Sequence, residues 1–326
     1  MKPDGYAYAV AYIRAIENNL LTKNDLEALL SAKTPDDAIR ILVDKGYGNE
    51  YVSPALFETL LSAEMEKCWE TVKGVLSDGE ELNILLYKND FHNLKAIVKS
   101  LGNKYDKVKE YFLYPTVSDA EDMFARIEKR DFSAMEEPFR SLAEECCDIM
   151  ARSADGQLID TKIDKVAMDY VYKKACLTQN SFLTGLVKLE NLIKDIKIAY
   201  RCALTGKNAE FTKNALSEAT ELNVDKVVKA VLSGKDALLE YIEADFSEYS
   251  SYLGNSISEF EKYADKKIAD YMKNSRFITL GIEPVVSYIY AKQRDIQSVR
   301  IIMSAKINNM DEEKIRGVLR SDAYVG

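Results

Sequence analysis

A chain of 326 residues with 47% hydrophobic content can bury a large core, enough for one extended or two to three compact domains. Its 14 glycines and 6 prolines are too few for the many turns of an all-β chain and suit long helices joined by short loops. A net charge of -9 leaves no clustered excess of Lys and Arg with which to neutralise phosphates, so nucleic acid is not an expected partner.

Apolar residues fall at helical spacing from the start. Ala9, Ile13, Ile16 and Leu20 share one stripe through steps of three and four, where a strand would need alternation. Thr34-Pro35-Asp36-Asp37 opens a helix: a hydroxyl N-cap, a proline where its missing N–H costs nothing, and acids facing the positive end of the dipole. Breaks are expected at Gly46 to Pro54, Ser77 to Gly79, Tyr114 to Ser118 and Ala154 to Gly156. Ser118-Asp119-Ala120-Glu121 reads as a capping box. Further stripes run through Leu192, Ile193, Ile196 and Tyr200, then Phe260, Ala264 and Ile268, with Asn223 and the Met310-Asp311 step opening two more helices. Gly206 and Gly234 are each expected to end a helix in the left-handed conformation. The class is all-α.

The chain repeats itself. Asp90-Phe91-His92-Asn93-Leu94-Lys95 and Asp295-Ile296-Gln297-Ser298-Val299-Arg300 share an acid, a small amide or hydroxyl, an aliphatic and a cation in the same order. A weaker middle copy sits at Asn191, with Lys188 in the place of the acid and Ile193 in the place of the cation. Five and nine residues beyond positions 34, 118, 223 and 310 stand Ile39 and Val43, Met123 and Ile127, Val228 and Leu232, and Ile315 and Leu319. All are apolar, and the intervals between the starts are 84, 105 and 87 residues. That period exceeds the about 33 to 47 residues of common helical repeats and suits duplicated helical units. The expected units are 1–117, 118–222 and 223–326, with the C-terminal helix packing with the N-terminal one. Asp90, Asn93, Lys95, Asn191, Asp295, Ser298 and Arg300 are then structural residues of the repeat, and Arg300 contributes both its head and its apolar stem to packing.

Sites for chemistry are not evident. His92, the single histidine, has no partnered nucleophile and reads as a surface or packing residue. Cysteines 68, 146, 147, 176 and 202 form no CxxC; they read as reduced thiols of a cytosolic protein, with one of Cys146 and Cys147 in the core and the other partly exposed. Gly206-Lys207 and Gly234-Lys235 fail as phosphate loops, because Arg201 and Lys229 stand where the first glycine belongs and Asn208 and Asp236 follow the lysines. Asp160 and Asp164 read as a solvated helix face, and Tyr6, Tyr8, Tyr12, Tyr288 and Tyr290 as core edge. No metal, no cofactor, no signal peptide and no spanning helix are expected.

The run Tyr6 to Leu21, the Asp90-to-Lys95 motif, and Gly281 to Arg300 followed by Lys306 and Ile315-Arg316 resemble the C subunit of bacterial and archaeal V-type (A-type) ATPases, whose eukaryotic counterpart is the d subunit. The resemblance spans nearly the whole chain in order. Departures are mild: Ser298 where Asn is usual, Gln293 and Asp295 where glutamates are usual, and Tyr12 where a basic residue is common. The resemblance implies a funnel-like, pseudo-threefold arrangement of three related domains with no active site. It also implies a rotor adapter seated between the central-shaft subunits (D and F type) and the membrane proteolipid ring, peripheral to the membrane on the cytoplasmic side. The rival reading is a helical-repeat scaffold that binds peptides or regulatory proteins.

Overall fold

The structure, a computed structural model, describes residues 4–48, 50–76, 79–103 and 107–319. These are all-α, with no strand among the described residues. Ser77 and Asp78, at one expected break, and the chain beyond Leu319 lie outside the described residues. In chain order the helices are α1 Asp4–Ile16, α2 Lys23–Ser31, α3 Pro35–Asp44, α4 Phe57–Val75, α5 Asn83–Asn103 and α6 Ala120–Lys129. Then come α7 Phe139–Ser153, α8 Gly156–Leu177, α9 Ser181–Thr205, α10 Ala209–Ala215 and α11 Val224–Ser233. Last are α12 Lys235–Asn255, which kinks at Phe246, α13 Ile257–Lys273, α14 Glu283–Ile307 and α15 Glu312–Val318. Two compact units result, one from Met1–Gly79 with Asp265–Gly326 and one from Glu80–Ala264.

Side-chain caps explain where several helices begin. The Thr34 hydroxyl accepts the Asp37 N–H at 3.1 Å with Pro35 in the first turn, and the Asn223 carbonyl accepts the Lys226 N–H at 3.1 Å. α6 departs from expectation. Its cap is Asp119, whose carboxylate accepts the N–H groups of Glu121 (2.8 Å) and Asp122 (3.1 Å). The reciprocal half of a capping box at Ser118, in which the Glu121 side chain would take the Ser118 N–H, is closed because that N–H is committed to Asp90 at 2.7 Å. Counted from the observed N-caps Thr34, Asp119, Asn223 and Asp311, the buried stripe lies four and eight residues on. It comprises Ala38 and Leu42, Met123 and Ile127, Val227 and Val231, and Ile315 and Leu319. Val43 and Val228 are therefore only half-buried and Leu232 is exposed, one residue off the stripe.

Gly206 ends α9 in the left-handed region at φ 62°, ψ 38°. Gly234 does not adopt that conformation. At φ 108°, ψ -178° it ends α11 and starts α12 at one residue, a positive-φ extended geometry that suits glycine.

In the unit formed from both ends of the chain, α14 packs on α1, α2, α3 and α4, and so is buried nearly all round. Its Ile296, Val299, Ile302 and Met303 join Leu42 and Leu61 in one core. In the other unit α5 packs on α6, α7 and α8, and Phe91 stacks on Phe139 at 4.6 Å between ring centres, with Tyr170 edge-on to both. Because α7 is covered by α5 and by α8, Cys146 and Cys147 are both buried, which corrects the expected split between core and surface. Burial pushes their thiols up to about 12 and about 11.

Candidate functional site

Three long helices, α5, α9 and α14, each bury an aspartate that accepts backbone N–H groups from a segment elsewhere in the chain. On α5, Asp90 takes the N–H of Val117 (3.2 Å) and of Ser118 (2.7 Å). On α14, Asp295 takes the N–H of Leu21 at 2.9 Å, just before the Thr22 cap of α2. On α9 the carboxylate is Asp195, which takes the N–H of Ser217 at 3.0 Å. Its neighbour Asp169 on α8 holds the Ser217 hydroxyl (2.7 Å) and the Glu218 N–H (2.8 Å). Burial is the main cause that raises all three carboxyls: Asp90 upward, Asp195 to about 6 and Asp295 to about 7, with the N–H donors pulling the other way.

Asp195 escapes a comparison of copies that is anchored on the Asn-Leu step. Asn191 is buried, but its amide donates to the Met168 carbonyl at 3.3 Å and meets no incoming segment. The spacing to the next cap holds the better signal: Asp90 stands 29 residues before Asp119, and Asp195 stands 28 before Asn223.

The other motif positions divide by surroundings. Asn93 is fully buried and makes a reciprocal pair with Leu113, donating to its carbonyl (3.0 Å) and accepting its N–H (2.8 Å). Lys95 pairs with Asp164 at 2.6 Å and Lys99 with Asp160 at 2.7 Å, so the two aspartates tie α8 to α5. His92 is exposed and donates from Nε2 to the Tyr111 carbonyl at 3.1 Å. Ser298 does not reproduce the Asn93 pair; it lines a cavity of about 180 Å³ with Ile268, Tyr290 and Gln297. Arg300 forks onto Glu58 at 2.9 to 3.1 Å, with both side chains about half exposed, which makes it a surface ion pair where a packing element was expected. Of the tyrosines singled out, Tyr6 and Tyr288 are buried, whereas Tyr8 is 66% exposed and lies beyond any core edge.

Sequence reasoning also missed a buried ion pair. Lys292 on α14 meets Glu64 on α4 at 2.6 Å with both side chains about one-twentieth exposed, and its ammonium sits 4.6 Å from the centre of the Tyr47 ring. A cavity of about 430 Å³ beside the pair is lined by Tyr12, Asp44, Lys45, Cys68 and Tyr288. Cys68 is no nucleophile there, since burial pushes its thiol up to about 12, and Glu64 and Lys292 neutralise one another. Among the described residues no group of three or more His, Cys, Asp and Glu side chains is placed to hold a metal ion, and no helix is long and apolar enough to cross a membrane.

This helical framework has known relatives. The family model for the ATP synthase (C/AC39) subunit matches residues 9–318. The A-type ATP synthase C subunit of Methanocaldococcus jannaschii is 23% identical over 97% of this chain and 86% of its own length. That of Pyrococcus furiosus is 23% identical over 96% and 90%, and the V-type sodium ATPase C subunit of Enterococcus hirae is 20% identical over 94% and 96%. With the family model covering nearly all of the sequence, the chain belongs to the ATP synthase (C/AC39) subunit family.

Proposed function

We propose that this chain is a non-catalytic rotor subunit of a rotary V-type or A-type ATPase, which couples the central shaft of the catalytic head to the membrane proteolipid ring and transmits torque for ion transport. The observation that carries the reading is likeness to proteins named as the C subunit of such complexes over 94% or more of the chain. Its partners would be shaft subunits of the D and F type on one side and the proteolipid ring on the other. The ring would supply the membrane part, and the chain would sit peripherally on the cytoplasmic side. A coupling piece must resist twisting, and close-packed helices deform little.

The same reading includes three related units in the funnel-like arrangement implied by the resemblance. Three ten-residue helices, α3, α6 and α11, support it, each starting at a side-chain cap with the same buried offsets. The aspartates of α5, α9 and α14 support it as well, each receiving a backbone segment.

The test is a complex depleted of this chain. Phosphate release by the soluble head should continue, while ATP-driven ion transport into the same vesicles, followed with an ion-sensitive dye, should stop and return when purified chain is added. Full binding should require both shaft and ring, since two linked contacts raise the effective concentration. Transport that persists without the chain overturns the proposal.

A further inference from the structure

The segment between α5 and α6 has its backbone fastened and its apolar side chains in solvent. Four residues on α5 hold it. Asn89 donates to the Pro115 carbonyl (2.8 Å), His92 to that of Tyr111 (3.1 Å), Asn93 pairs with Leu113, and Asp90 takes the N–H of Val117 and Ser118. Phe112 points inward and is 8% exposed, whereas Tyr111, Leu113, Tyr114 and Val117 are 61, 44, 54 and 39% exposed. An ordinary solvated loop has polar tips and a looser backbone. Holding an apolar loop in one shape lowers the ordering cost of a later contact, as a preformed docking surface requires.

Beside this loop run two adjoining concavities that share Val117, Ser118 and Asp119. One, about 320 Å³, is floored by Met123, Met135 and Phe139; the other continues past Tyr114 and Thr116. The charged residues that line them are Asp119, Glu121, Asp122 and Glu136 against Arg126 alone. Arg126 is already tied to Asp122 at 2.5 Å, and Lys109 reaches Glu121 from outside the lining at 3.0 Å, so the rim stays acidic around an apolar floor.

We propose that this groove seats a basic amphipathic segment of a partner polypeptide, with its apolar side on Tyr114 and Val117 and its Lys or Arg side chains on the acidic rim. Charge complementarity names the occupant: an acidic helix would be repelled, and a purely apolar one would leave the carboxylates uncompensated. The inference does not depend on the rotor reading, since it concerns the chemistry of the bound segment and not the complex that supplies it.

The probe is a synthetic helix with leucines at heptad a and d positions and lysines elsewhere, compared with a Leu/Glu counterpart by fluorescence anisotropy against the full chain. The Leu/Lys peptide should bind and the Leu/Glu peptide should not. Glu121→Lys with Glu136→Lys should weaken binding about tenfold or more, while the charge-matched pair Glu210→Lys with Glu240→Lys, exposed elsewhere in the same unit, should leave it within about twofold. Tyr114→Ser with Val117→Ser should also weaken it, and peptide should slow amide exchange across Tyr111 to Arg126. Equal losses from both charge reversals, or binding indifferent to Tyr114 and Val117, would mean that the peptide only senses net charge, and the proposal would fall.

Discussion

Asp90 and Asp295 make the same kind of bond at very different range. Asp90 reaches N–H groups 27 and 28 residues ahead, whereas Asp295 holds one 274 residues away, at the other end of the chain. Loop-closure entropy rises only with the logarithm of length, so the longer closure costs about 2 kcal/mol more. The anchors around α14 are heavier to match. Lys306 donates to the carbonyls of Leu30 and Ala32, each at 2.7 Å, Arg316 forks onto Glu27, and Lys292 buries its charge against Glu64. Around α5 the fastening is by amides and by half-exposed ion pairs such as Lys95 with Asp164. A segment arriving from the far end of the chain has no short linker to set its register. A buried charge that is costly to mispair sets it instead.

The buried pair offers the largest way to break this contrast. Lys292→Met should cost about 3–5 kcal/mol because it leaves Glu64 buried with only the exposed Lys67, 3.7 Å away, as a partner, and Lys292→Met with Glu64→Leu should recover most of the loss. Urea melts of the two variants measure it. If the single variant costs no more than Lys95→Met, whose side chain is partly exposed, the first unit does not depend on buried charge.

Asp295→Asn sharpens the comparison through pH. Burial raises the folded carboxyl from 3.8 to about 7, so the folded state holds this proton more tightly than the unfolded state does. The contribution is therefore fully present below the ordinary carboxylate value and is lost as pH climbs through about 7, where an ion must be kept buried. Asparagine keeps an acceptor for the Leu21 N–H and has no charge to bury. Relative to the parent it should gain stability between pH 5 and 8, on the order of a few kcal/mol, read from thermal melts at the two pH values. A constant difference across that window would deny the buried proton.

Smaller effects are expected from the amide and hydroxyl of the repeat. Asn93→Ala should cost about 1–3 kcal/mol, because the Leu113 peptide group loses both partners, and it should speed amide exchange over residues 111 to 118. Ser298→Ala should change stability by less than about 0.5 kcal/mol, since this half-buried side chain only lines an open cavity. Equal costs would restore the equivalence of the two motifs. Arg300→Ala should likewise cost no more than about 0.5 kcal/mol, and less at high salt, because its pair with Glu58 is half in water.

Periodic signals are readable in the linear chain because each depends on neighbours within a turn or two. The all-α class, the caps at Thr34 and Asn223 and the left-handed end at Gly206 are of that kind. Some departures are local too, yet have distant causes. The capping box expected at Ser118 cannot close, because Asp90 on α5 has already claimed the Ser118 N–H, and that is a contact between a distant helix and the segment before α6.

Position in the chain was enough to mark Asp90, Asn93, Asp295 and Arg300 as special, but not to say what each one does. Composition and apolar spacing determined the helices and which of their faces are oily, because backbone hydrogen bonding and the 3.6-residue turn act over a few residues. Tertiary structure decided that Asp195 and not Asn191 receives a segment, that Lys292 finds Glu64, and that Arg300 stays at the surface. A polar group's role depends on which distant donor, acceptor or solvent meets it after burial, and only the packing of helices far apart in sequence supplies that partner.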